Sequence, residues 1–107
     1  MSFEEIQKLV EQWAIDRNLN HADPKIQWMR VSEEIGEIRD VLLKPTKFVE
    51  PDLAMRDAIG DSLVTLIVLS MQLNQNPVEC LEYAYNEIKN RKGMLINGNF
   101  VKNEDYK

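Results

Sequence analysis

The 107-residue sequence is poor in soft metal ligands: it contains one cysteine, Cys80, and one histidine, His21. A single thiol excludes an intramolecular disulfide and a cysteine-based zinc set, and it suits a reducing compartment. Positive charge is also short. Lys and Arg number 13 against 18 Asp and Glu, a net charge of −5, which disfavours binding to duplex nucleic acid or an anionic membrane surface. The most apolar stretch, residues 58–73, is short for a membrane span and is interrupted by Asp61, Thr65 and Gln72. The opening Met1-Ser2-Phe3-Glu4-Glu5 lacks the basic and then apolar run of a signal peptide. These absences lead to the expectation of a cytoplasmic protein that engages neither nucleic acid nor membrane.

What is present is an ordinary globular balance, 44% hydrophobic and 29% charged, in a chain long enough for one modest core. Ser2 with Glu5 forms a capping-box pattern ahead of Phe3, Ile6, Leu9, Val10 and Trp13, which predicts a first helix ending near Asn18. Asp23-Pro24 predicts the start of a second helix, with Trp28, Val31, Ile35, Ile38 and Leu42 as its apolar stripe. Lys44-Pro45 stops it, and Pro51 opens a third helix running to about Leu73. Asn76-Pro77 opens a fourth, with Val78, Leu81, Tyr85 and Ile88 inward and Lys89, Arg91, Lys92 and Gly93 at its C-terminal end. Asn97-Gly98, flanked by apolar residues over Met94–Val101, predicts a hairpin. The expected architecture is all-α: a four-helix bundle over residues 1–92, with a C-terminal arm or β-hairpin over 93–107.

One motif occurs twice. Glu33-Glu34-Ile35-Gly36-Glu37 returns 24 positions later as Asp57-Ala58-Ile59-Gly60-Asp61. On the second helix Arg30, Glu34, Glu37 and Val41 share a column beside the apolar stripe, and like charges at i, i+3 disfavour the helix unless a cation sits between them. On the third, Asp61 interrupts an apolar run expected to be buried, so it must be paired, protonated or metal-bound. A solvated face accounts for the glutamates taken alone, and an ion pair with Arg30, Arg39 or Arg56 accounts for Asp61 taken alone. Gly36 and Gly60 each sacrifice about 1 kcal/mol of helix stability relative to alanine, so they point to close helix approach or room for a ligand. Two antiparallel helices meeting here would gather Glu34, Glu37 and Asp61, with Glu33 and Asp57 nearby, into an all-oxygen cluster. Hard oxygen donors select Mg²⁺ or Mn²⁺, and Mg²⁺ typically shares its remaining positions with phosphates.

These motifs, with the lead-in Gln12–Ile38 and the basic segment Asn86–Gly93, resemble the MazG-like all-α nucleoside triphosphate pyrophosphohydrolase superfamily over roughly residues 3–92. The resemblance implies Mg²⁺-dependent cleavage of a nucleoside triphosphate between the α and β phosphates, releasing a monophosphate and pyrophosphate. It carries metal-ligand roles onto Glu34, Glu37 and Asp61. The family's fourth acid falls on Ala58, a departure that leaves Asp57, one turn before Asp61, as the substitute. Glu33 or Glu34 is the general-base candidate. Asn86, Lys89, Arg91 and Lys92 are candidates for the distal phosphates, although cations also simply complement a helix end. Trp28, Trp13 and Phe100 are candidates to stack on the base, although aromatics at helical spacing more often pack in a core, and Phe100 is placed to act as a lid. A homodimer or homotetramer is expected from the apolar surface of the third helix and from the family. The alternatives are a non-catalytic helical interaction module and a nucleotide sensor that binds without hydrolysis.

Overall fold

The Ser2 hydroxyl accepts the Glu5 N–H at 3.1 Å while the Glu5 carboxylate accepts the Ser2 N–H at 3.3 Å, so two otherwise unpaired donors at the start of α1 (Phe3–Ile15) satisfy each other's residues. The computed structural model describes residues 1–102. Helix α1 stops before the expected Asn18, because Asn18 turns left-handed at φ 59° and leads into a 3₁₀ turn over Leu19–His21. Asp23 caps α2 (Pro24–Leu43) by accepting the Lys25 N–H at 2.9 Å, with Pro24 in the first turn. Pro51 likewise opens α3 (Pro51–Gln72), and α4 spans Pro77–Ile88.

Strands β1 (Gly93–Ile96) and β2 (Asn99–Lys102) pair antiparallel, with Gly93 opposite Lys102 and Ile96 opposite Asn99. Asn97 and Gly98 both have positive φ, 52° and 81°, the two-residue turn whose twist matches that of the strands. Gly93 is a strand residue rather than the expected helix C-terminal glycine. A side chain there would run into the Val101 carbonyl and the Phe100 ring. Phe100 thus lies against its own hairpin. Lys89, Arg91 and Lys92 follow the last turn of α4 instead of occupying it.

Contacts divide the chain into Met1–Pro77 and Val78–Lys107, so α4 goes with the hairpin, whereas the sequence grouped it with the first three helices and set the arm apart at 93–107; residues 103–107 of that arm lie outside the described residues. In the first unit α2 and α3 form the main pair, and α1 packs on α3. The Gln27 side chain on α2 donates to the Thr65 carbonyl on α3 at 3.0 Å, while Glu34, later on α2, meets Asp61, earlier on α3. The two helices therefore run antiparallel.

Their buried faces differ from the stripes read off the sequence. On α2, Val31 and Val41 are buried and Glu34 and Ile38 half-buried, while Trp28 and Leu42 are 57% and 67% exposed. The buried line of α2 thus lies about one column from that stripe, and the small side chains of Ala58 and Ser62 on α3 are buried. Nor is α3 buried all round. Ala58, Ser62, Ile67 and Val68 are buried, but Leu53, Ile59, Leu63 and Leu66 remain exposed. On α1 the buried residues are Gln7 and Ala14, with Phe3, Ile6, Leu9 and Trp13 exposed. Helix α4 buries none of its residues, the expected inward Leu81, Tyr85 and Ile88 included. No helix among the described residues is long and apolar enough to cross a membrane.

Candidate metal centre

Rotation of α2 carries Glu34 from the helix flank onto the line Val31, Glu34, Ile38, Val41 that faces α3. Its carboxylate is drawn into the helix pair, and its Oε2 atom is buried without a hydrogen-bond partner. Glu37, one turn on, and Asp61, across the interface, bring their oxygens to the same point. One carboxylate oxygen from each of Glu34, Glu37 and Asp61 lies within 4.8 Å of the others. Glu37 remains solvent-accessible, so the cluster is shielded at Glu34 Oε2 and open on the Glu37 side.

The charges in this arrangement are only weakly compensated. Burial raises the Glu34 pKa from its ordinary value, and the carboxylates of Glu37, which stands within hydrogen-bonding reach, and of Asp61 raise it further, against a smaller opposing pull from Arg30. Asp61 makes no ion pair with Arg30, Arg39 or Arg56. Among the described residues Arg39 pairs with its neighbour Asp40, at 3.3 Å on the exposed surface. A buried carboxylate oxygen with no donor, beside two further carboxylates, is a set that a cation or a shared proton completes. Three hard oxygens open to water on one side fit Mg²⁺ or Mn²⁺, which keep part of their hydration shell.

The remaining candidates divide. Asp57 is not in the cluster. It lines, together with Asp61, an apolar groove of about 480 Å³ formed by Phe3, Ile6 and Val10 of α1 and Leu53, Gly60 and Val64 of α3. Glu33 is exposed and also stands outside the cluster. Ala58 is buried in the core, so the departure from the family pattern puts a methyl group where an acid was expected. Trp28 lies on the exposed side of α2, while Trp13 is covered on one face by the Arg17 guanidinium, 4.5 Å from the ring centre. Asn86, Lys89, Arg91 and Lys92 belong to the Val78–Lys107 unit.

The two glycines act differently from one half of the expectation. A methyl group at Gly60 would meet nothing within 4 Å, and one at Gly36 would meet only the Arg39 guanidinium at 3.8 Å. Neither permits a close helix approach. Gly60 instead lines the groove together with Asp61. The groove itself went unrecognised in the sequence, although the α1 stripe of Phe3, Ile6 and Val10 was its visible half.

No family model matches the chain, and no solved structure matches it. It is 38% identical over 66 residues to an "uncharacterized 18.2 kDa protein in rep-hol intergenic region" of Haemophilus phage HP1, a match covering 61% of this chain and 37% of that protein. The chain thus spans well under half of the relative's length.

Proposed function

We propose that the protein is a Mg²⁺-dependent nucleoside triphosphate pyrophosphohydrolase of the MazG-like type, cleaving between the α and β phosphates. The observation that supports this reading above the rest is the convergence of Glu34, Glu37 and Asp61 oxygens within 4.8 Å, with Glu34 Oε2 buried and unpartnered. Glu34, Glu37 and Asp61 would hold the ion. When bound, Mg²⁺ supplies charge neutralisation for phosphate oxygens and acidifies water. Of the two base candidates, Glu34 would be engaged in holding the cation, which leaves exposed Glu33 to accept a proton from the water as its oxygen bonds to the α-phosphorus. The bridging oxygen then leaves with pyrophosphate. An acidic protein gains access to a polyanion through the cation, and the apolar groove flanked by Asp57 and Asp61 provides a surface for the less polar part of the nucleotide. The exposed apolar side chains of α1 and α3 support assembly as a homodimer or homotetramer.

The test is a panel of canonical and modified nucleoside triphosphates with Mg²⁺ or Mn²⁺, scored for pyrophosphate against orthophosphate. Pyrophosphate release by the wild type, lost in both Glu37→Ala and Asp61→Ala with the helical circular-dichroism signal intact, is the expected result. Orthophosphate as first product, or activity retained in both variants, overturns the assignment. The groove favours a second reading, a non-catalytic helical interaction module that seats an apolar partner segment. That module would show no Mg²⁺-dependent rise in thermal stability. Nucleotide-induced stabilisation without product would instead mark a sensor.

A further inference from the structure

The metal cluster is assembled from two helices, so its geometry depends on how far α2 has slid along α3. Magnesium–oxygen bonds are about 2.0–2.1 Å long and tolerate little distortion, whereas a slip by one residue displaces a helix by about 1.5 Å along its axis. The buried residues of the pair, Val31 and Val41 on α2 with Ala58, Ile67 and Val68 on α3, supply hydrophobic contact, which is non-directional and resists sliding only through fit. The hydroxyls of α3 give no link across the interface either. Ser62 donates to the Ala58 carbonyl at 2.8 Å and Thr65 to the Ser62 carbonyl at 2.9 Å, both on their own helix.

Among the described residues one directional bond joins the two helices, from the Gln27 side chain to the Thr65 carbonyl at 3.0 Å. The acceptor is a helix backbone atom, fixed in position and unable to follow a moving donor. Gln27 stands seven residues before Glu34, about 10 Å along α2, and Thr65 four residues after Asp61, about 6 Å along α3. The bond is partly buried, where a lost partner is not fully replaced by water.

We propose that Gln27 is a positioning residue that locks the sliding register of α2 on α3 and thereby holds Glu34 and Glu37 opposite Asp61. This rests on the metal reading above, and the test separates the two. Gln27→Met keeps the side-chain length and removes the donor. Gln72→Met is the matched control, because Gln72 donates a similar partly buried bond at 2.9 Å, but to the Leu19 carbonyl rather than to α2. Magnesium binding to the full chain is measured by calorimetry, with circular dichroism confirming the fold. Axial register is measured without metal, as the separation of spin labels at Lys25→Cys and Asp52→Cys in a Cys80→Ser background.

The expected result is Mg²⁺ affinity weakened about tenfold in Gln27→Met, the scale typical of residues that orient metal ligands, with a shifted or broadened label separation, and neither change in Gln72→Met. Wild-type affinity and separation in Gln27→Met, or equal losses in the two variants, overturn the proposal. A wild type that binds no magnesium, with the separation altered only in Gln27→Met, supports the register role and overturns the metal reading.

Discussion

Glu34 is the residue at which burial and like charge act together most directly. Its carboxylate is desolvated and faces two others, and both effects raise its pKa above the ordinary glutamate value. A group that binds its proton more tightly when folded stabilises the protein fully below its unfolded pKa, and that contribution is lost as pH rises through the folded value. The metal-free protein is therefore expected to lose thermal stability as pH rises from the ordinary glutamate range through the raised pKa, and Glu34→Gln to flatten that slope. On the proposed metal reading Mg²⁺ competes with the same proton, so its stabilising effect should grow over the same interval in the wild type and be lost in Glu34→Gln. Thermal melts at several pH values, with and without Mg²⁺, check both. A wild-type slope unchanged by the substitution would show that Glu34 is not the titrating group. Sequence spacing identified Glu34 beside Glu37 but put them on the helix flank. The inward turn of Glu34 was invisible to it, because rotation about the helix axis depends on the surface that α3 offers.

Helix starts were legible because they are local chemistry. Ser2 with Glu5, Asp23 before Pro24, and Pro51 each act within one turn of the chain, and each lies where its pattern placed it. The hairpin was legible for the same reason, since Asn97 and Gly98 carry the required positive φ themselves. Helix ends and buried faces were less so: α1 closes at Ile15 because Asn18 turns left-handed, and the apolar stripe of α2 sits one column from its buried line. The glycines give a test at this scale. With open space at Gly60 and only an arginine tip near Gly36, alanine at either position should raise helix stability by about 1 kcal/mol, about 5 °C in Tm for a domain of this size. Only Gly60→Ala, in the lining of the groove with Asp61, should also reduce the proposed pyrophosphate release. A Tm that falls in both variants would show that the missing side chains are needed for packing after all.

For the whole molecule the prominent feature is uncovered apolar surface. Phe3, Ile6, Leu53, Ile59, Leu63 and Leu66 are each at least 40% exposed; the first two belong to the stripe that predicted α1, and Leu63 and Leu66 to the α3 surface expected to be covered in an oligomer. Exposed apolar side chains in this number are the basis for the proposed self-association. Sedimentation should show an oligomer that dissociates on dilution, and Ile6→Lys should shift it to monomer. A wild type monomeric at every concentration would remove the basis for the assembly. By itself the sequence determined four helix-forming segments, the two-residue hairpin turn and the acidic repeat, because caps, prolines and turn residues act over one or two turns of chain. Only the tertiary structure decided that Glu34 turns inward while Glu33 and Asp57 do not join it, that Ala58 enters the core, and that Gln27 reaches Thr65. Those outcomes depend on how one helix rotates and slides against another, a matter of packing between residues tens of positions apart that no local pattern encodes.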